Sequence, residues 1–243
     1  MMNITAGAMH FKDLNGLVRE SEEKNITIDN CMGQRYIGAA SSGKKITING
    51  TPGNALGCYL NGSDIIVNGN AQDATGDTMN TGRIIVHGNC GDTTGYGMRG
   101  GKIFAHGDSG YRTGIHMKSY LGNPPVVIIG GAAGTFLGEY QAGGYIVVLG
   151  MNTKKKNIVG NFCGTGMHGG KMYLRCSLDE IPESMPAQVK AELATAQDMA
   201  EIDEYLDEYC KLMKEDKKKI LDHQFVVINP NSANPYHNLY VHI

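Results

Sequence analysis

The chain of 243 residues has no tryptophan and only five phenylalanines, and its seven prolines are too few for a proline-rich linker. No apolar run approaches the roughly eighteen residues that a membrane-spanning helix requires. Charge of neither sign is in excess. Lys and Arg number 22 against 24 Asp and Glu, so the overall balance points neither to nucleic acid nor to an acidic membrane surface. The basic runs 154–156 and 217–219 read as solvated surface. The opening MMNITAGAMHFKDLNG lacks a basic region followed by an apolar stretch, so no export signal is expected. Cys31, Cys58, Cys90, Cys163, Cys176 and Cys210 form no CxxC pair. Scattered free thiols fit a reducing cytoplasm better than a disulfide framework, and better than a metal or iron–sulfur site.

Glycine is what the chain has in abundance: 34 residues, roughly twice the usual share. The excess is periodic. Gly50, Gly69, Gly88 and Gly107 close four short apolar runs at a spacing of 19, and a second column, Gly38, Gly57, Gly76, Gly95 and Gly114, keeps the same step. Later runs close at Gly130 and Gly150, and KMYLR (171–175) ends the series. A fixed period of this length signals stacked units, none of which buries its own apolar face.

Aligned on the closing glycine, each run gives two apolar columns expected to point inward. One is Ile46, Ile65, Ile84, Ile103, Val126 and Ile146; the other is Ile48, Val67, Val86, Ala105, Ile128 and Val148. The intervening positions, Thr47, Ile66, Ile85, Phe104, Val127 and Val147, then Asn49, Asn68, His87, His106, Ile129 and Leu149, are expected outward. The outward set turns apolar late in the series and so calls for a lid or a partner. A C-terminal helix carrying Met199, Ile202, Leu206, Tyr209 and Met213 on one face is a natural lid. Asp198 is expected as its N-cap, with Glu201 completing a capping box. Leu60, Met79, Met98, Met117 and Met167 form a further stripe. It reads as an internal ladder, since thioethers fill irregular gaps.

Few residues suggest chemistry. Gly95–Gly97–Gly100 and Gly164–Gly166–Gly169 both match GxGxxG, but a strand follows each where a dinucleotide site needs a helix. His87 and His106 recur one unit apart without a ligand set around them, and His116 and His168 stand near the methionine stripe, where they could face a partner. Asp77, Asp92 and Asp108 fall in turns, where Asp bonds local backbone. No clustered carboxylates and no nucleophile–base set stand out, so catalytic, cofactor-binding and metal-binding residues are all expected to be absent.

The expected fold is all-β: a right-handed parallel β-helix, single-stranded and of about seven coils, with a C-terminal α-helical extension. At the usual strand spacing such a rod is about 30–35 Å long. Its first strand is 25–29. A short helix over 13–23 precedes it, a linker over 181–186 follows it, and a helix over 216–222, the apolar 225–228 and a Pro/Asn-rich tail close the chain.

The segments QRYIG (34–38), TGDTMNTGRIIVHG (75–88), TGYGMRGGKIFAHG (94–107), GEYQAGGYIVVLG (138–150) and GTGMHGGKMYLR (164–175) together resemble the GXGXG domain that ends the glutamate synthase large (alpha) subunit. They are similar also to a structural subunit of formylmethanofuran dehydrogenase. The resemblance covers about 25–176, and the helical tail looks more like the glutamate synthase version. It implies three parts: an N-terminal cap segment (1–24), the GXGXG domain (25–180) and a helical extension with a terminal strand (181–243). It further implies a stand-alone, non-catalytic scaffold subunit in the cytoplasm. Glutamate synthase-like catalytic and amidotransferase subunits are its partners, and they carry the FMN and iron–sulfur cluster and convert glutamine and 2-oxoglutarate to two glutamates. No cysteine follows the initiating methionine, so the amidotransferase nucleophile has no counterpart here. The structural role in a formylmethanofuran dehydrogenase, a β-helix that binds carbohydrate or another small ligand, and a homo-oligomer are the alternatives; no nucleic acid or membrane partner is expected.

Overall fold

The computed structural model describes residues 1–231. Among these residues eleven strands form one sheet: β1 Met2–Thr5, β2 Asn25–Met32, β3 Lys45–Thr51, β4 Asn61–Asn68, β5 Thr81–Val86, β6 Lys102–Ala105, β7 Val126–Ile129, β8 Ala142–Val148, β9 Gly169–Leu174, β10 Val189–Leu193 and β11 Val226–Pro230. Strands β1 to β9 lie side by side in chain order and are parallel; β11 then pairs antiparallel with β9, and β10 with β11. Three helices accompany the sheet: α1 Phe11–Glu20, α2 Ala196–Met213 and α3 Lys217–Leu221.

The register follows the period. Ile46, Ile65, Ile84, Ile103, Val127, Ile146 and Met172 are successive partners. Parallel partners sit about 4.8 Å apart, so these side chains stack into one continuous ridge. The ridge packs with Leu60, Met79, Met98, Met117 and Met167, all fully buried, in the larger of two apolar clusters. The methionine stripe is therefore core. Between Met117 and Met167 the same row position is filled by Gln141, a residue the sequence pattern passes over. Its Nε2 donates to the carbonyls of Gly143 and Gly144, while its Oε1 is buried without a partner.

Each strand is followed by a turn that docks on the turn of the next row. Ala55 N–H donates to Asp73 O, Ala74 to Asp92 O and Thr93 to Tyr111 O. The second glycine column sits here with φ near +70°, for example Gly57 at +62°. A β-carbon at Gly57 would also meet Ile84 Cδ1 at 2.7 Å, so both backbone and packing require glycine there. The Asx residues of the turns act between rows rather than locally. Asp73 Oδ1 accepts from Asp92 N, Asp92 Oδ1 from Tyr111 N, and Asp108 Oδ1 from Ala132 N. Asp77 alone of the three expected turn acids bonds locally, accepting from Thr78 Oγ1.

Two expectations are corrected. The fold is an open, mixed, mostly parallel eleven-stranded sheet with three helices, an α/β arrangement rather than an all-β, single-stranded right-handed β-helix of about seven coils. The period identifies which residues become neighbours. It is blind to β1, β10, β11 and the helices, which arise from aperiodic segments and supply the mixed edge. The second correction is a one-residue slip. Gly131, not Gly130, is the row partner of Gly107, since Gly131 N–H donates to Gly107 O. Val127 and Ile129 therefore point into the larger cluster, and Val126 and Ile128 face the other way. Two adjacent glycines made the alignment ambiguous.

The ends also differ in detail. Helix α1 starts after His10, whose Nδ1 accepts from Lys12 N–H, and buries Leu14 and Val18 in the larger cluster. The first strand is preceded by β1, and 181–186 leads from a 3-10 turn at Leu178–Glu180 into β10. Helix α3 begins after Asp216, close to its expected start, and 225–228 supplies β11. Residues 232–243, which hold most of the Pro/Asn-rich tail, lie outside the described residues.

Candidate functional site

Helix α2 lies across the outward face of the late strands. Ile202, Tyr205, Leu206, Tyr209 and Met213 form a second cluster with Phe104, Val126, Ile128, Val147, Leu149 and Tyr173. This is the lid that the apolar drift of the outward column required, with Tyr205 in the contact and Met199 only at its margin. The N-cap is Thr195 rather than Asp198. Thr195 Oγ1 accepts from Asp198 N–H, and Asp198, three residues into the helix, completes the box by accepting from Thr195 N–H. Capping chemistry was legible; its phase was not.

Charge pins the helix along its length. Glu208 accepts from Arg83 at 2.9 Å and from Lys102 at 2.6 Å, and Arg83 continues to Asp64. Lys171 joins Asp198 at 3.0 Å and Glu201 at 2.6 Å, and His106 meets Glu215 at 2.9 Å. His106 thus ties the turn that follows α2 to the sheet. Burial, then neighbouring His106 and Lys214, push the His87 imidazole below its ordinary pKa. Burial opposes the charge on Glu208, and the hydrogen bonds from Lys102 and Arg83 outweigh it and hold the carboxyl below its usual range. Asp198 is lowered from 3.8 to about 2 by the Thr195 hydroxyl, the Thr195 amide and Lys171. A depressed carboxyl contributes stability above its unfolded pKa and loses it as pH falls through the folded one. Amide protection of α2 is therefore expected to decline between pH 4 and 2, following Asp198 and Glu208. Hydrogen exchange across that window checks this; an unchanged α2 in Asp198→Asn/Glu208→Gln contradicts it.

The thiols are sequestered. Cys31, Cys58, Cys90, Cys163 and Cys176 are buried and Cys210 is partly buried. Burial pushes Cys90, Cys163 and Cys176 up to about 12, far from the thiolate needed for nucleophilic or ligand chemistry. Brief alkylation of the native protein is expected to mark Cys210 before Cys90, Cys163 or Cys176, as read by peptide mass spectrometry. Labelling of Cys163 ahead of Cys210 would refute that order. Among the described residues no group of three His, Cys, Asp or Glu is gathered to hold a metal. Nor is any helix there long and apolar enough to cross a membrane.

One corner of the stack collects polar side chains. The two GxGxxG segments, read as turns, belong to different rows, and both contribute to a pocket of about 400 Å³. Tyr96, Gly97 and Arg99 come from the first segment and His168 from the second, with Thr78, His116, Lys118, Tyr140 and Ala142 completing it. His116 and His168, singled out by their place beside the methionines, are thereby brought together. The His116 and Tyr140 rings stack at 5.0 Å with planes 8° apart, and Tyr96 meets His116 edge-on at 5.9 Å. Arg99 Nη1 donates to the carbonyls of Gly97, Met98 and His116. Sequence reasoning missed Arg99 and Lys118. Their only signal was a basic residue just after each of Met98 and Met117, one period apart.

A protein of Methanocaldococcus jannaschii, described as uncharacterized, is 42% identical over 250 residues, covering 98% of this chain and 95% of its own length. The family model for the GXGXG motif matches residues 23–231, from just before β2 through β11. With its glycine columns, turn ladder and lid helix all inside that match, this chain belongs to the GXGXG motif family.

Proposed function

We propose that this chain is a non-catalytic scaffold subunit of a cytoplasmic, glutamate synthase-like complex. Partner subunits perform the glutaminase and synthase reactions and hold the FMN and iron–sulfur cluster. The observation that carries this reading is the uninterrupted parallel pairing of β1 to β9 in chain order. Nine strands at the usual spacing make a body on the order of 40 Å long. Hydrogen bonds tie it at both the strands and the turns, and its late outward face is held under α2. A body of this kind suits the task of fixing the distance and orientation of catalytic partners. Membership of the GXGXG family supports the same role.

The test is biochemical. The purified chain is expected to show no glutaminase or synthase turnover and no flavin absorbance. A tagged copy in native extract is expected to retain a flavin- and iron–sulfur-bearing synthase subunit and an amidotransferase. Recovery of molybdenum- or tungsten-enzyme subunits in their place would give the chain the structural role in a formylmethanofuran dehydrogenase. Turnover by the isolated chain, or stoichiometric FMN on it, overturns both.

A further inference from the structure

From the corner pocket we infer that the chain binds a phosphate monoester carried on a planar ring, the chemistry of a mononucleotide. Two cations, the held Arg99 and the unpaired Lys118, face no competing carboxylate among the described residues. Lys118 Nζ has no partner among the described residues. Arg99 spends Nη1 on three backbone carbonyls, which immobilises the guanidinium and leaves Nε and Nη2 free to donate. The acids nearest in sequence are occupied elsewhere: Asp77 accepts from Thr78 Oγ1, and Glu139 pairs with Arg112. No acidic residue among those described lines the pocket. Two positive charges match a phosphate monoester dianion.

The ring has its own place. Gly97, His116, Tyr140 and Gly166 occupy one position in four successive rows, since Gly97 N–H donates to Ile115 O, His116 to Glu139 O and Tyr140 to Thr165 O. The two central rings stack. A β-carbon at Gly97 would make only ordinary contacts, with Thr78 Oγ1 at 3.6 Å and Arg99 Nη1 at 3.9 Å, and the exposed His116 ring borders the pocket there. Stacking on an aromatic column is tolerant of ring identity and adds to phosphate contacts. His168 Nδ1 donates to Gly166 O at 3.1 Å, which leaves Nε2 to bond a sugar hydroxyl. Gly97 of the first motif thus leaves the His116 ring accessible, and side chains rather than a helix N-terminus hold the phosphate.

Calorimetry on the full chain with AMP, adenosine, ribose 5-phosphate and inorganic phosphate tests the inference. AMP is expected to bind at least about tenfold more tightly than any of the other three. Lys118 is exposed and bonds only through its backbone, so Lys118→Met keeps the fold; it is expected to weaken AMP about tenfold and leave adenosine unchanged. The His116 ring resonances should shift on AMP addition. Absence of AMP binding at millimolar concentration, equal affinity for ribose 5-phosphate, or indifference to Lys118→Met overturns the inference. None of these bears on the scaffold reading, whose readout is co-purification.

Discussion

Replacing Ile84 with alanine is expected to lower the unfolding free energy by about 3–4 kcal/mol, whereas Ile66→Ala costs about 1 kcal/mol or less. The two residues are of one type on neighbouring strands and lie on opposite faces of the sheet. Ile84 is fully buried between its row partners Ile65 and Ile103, with its Cδ1 against the turn glycine Gly57. Strands above and below are fixed by parallel hydrogen bonds, so the wall cannot close over the lost methyl groups, and the cavity penalty adds to the lost transfer energy. Ile66 is only partly buried, at the margin of the cluster beneath α2. Urea titrations of both variants, with the slope unchanged, measure the difference. Equal losses would mean that the two faces are not differently packed, and the inward ridge would have to be abandoned.

Gly130→Ala is expected to cost about 3 kcal/mol and to strip hydrogen-exchange protection from α2 before the sheet. A methyl group there would collide with the Tyr209 hydroxyl on one side and the His106 carbonyl oxygen on the other. Gly130 is thus the seat of the lid helix. The Tyr209 hydroxyl is itself buried without a hydrogen-bond partner, because the nearby Asn152 amide turns to the His106 carbonyl and Glu215. Tyr209→Phe alone is therefore expected to be neutral or to stabilise by up to about 1 kcal/mol. Combining the two substitutions should recover part of the Gly130→Ala loss, since the oxygen that the methyl strikes is gone. A coupling of about 0.5–3 kcal/mol in the double-mutant cycle is the expected sign of direct contact. Strictly additive effects would show that the helix rests elsewhere.

Much of this was legible in residue order. Alternation and the step of 19 identified the stacking ridge from Ile46 to Ile103, and Ile146 further on, because parallel strands paired in register place equivalent positions side by side. The apolar drift from His106 to Leu149 announced a cover, and the three- and four-residue spacing of Ile202, Leu206, Tyr209 and Met213 named the helix that supplies it. The slip at Gly130–Gly131 shows where periodicity runs out. Either glycine can close an apolar run, and only the hydrogen bond to Gly107 decides which one does. Gln141 was hidden because it interrupts the methionine stripe with a polar residue, of which only the amide nitrogen is satisfied, by carbonyls two and three residues ahead.

Order along the chain by itself determined the neighbours within the repeat, the two-sidedness of its strands and the need for a lid, since these follow from period and polarity alone. The tertiary structure decided the mixed edge, the helices' seats and the meeting of Arg99, Lys118, His116 and His168 in one pocket. Those depend on how aperiodic ends fold back and on which side chains a corner turns toward one another. Contacts between residues far apart in sequence leave no periodic trace in it.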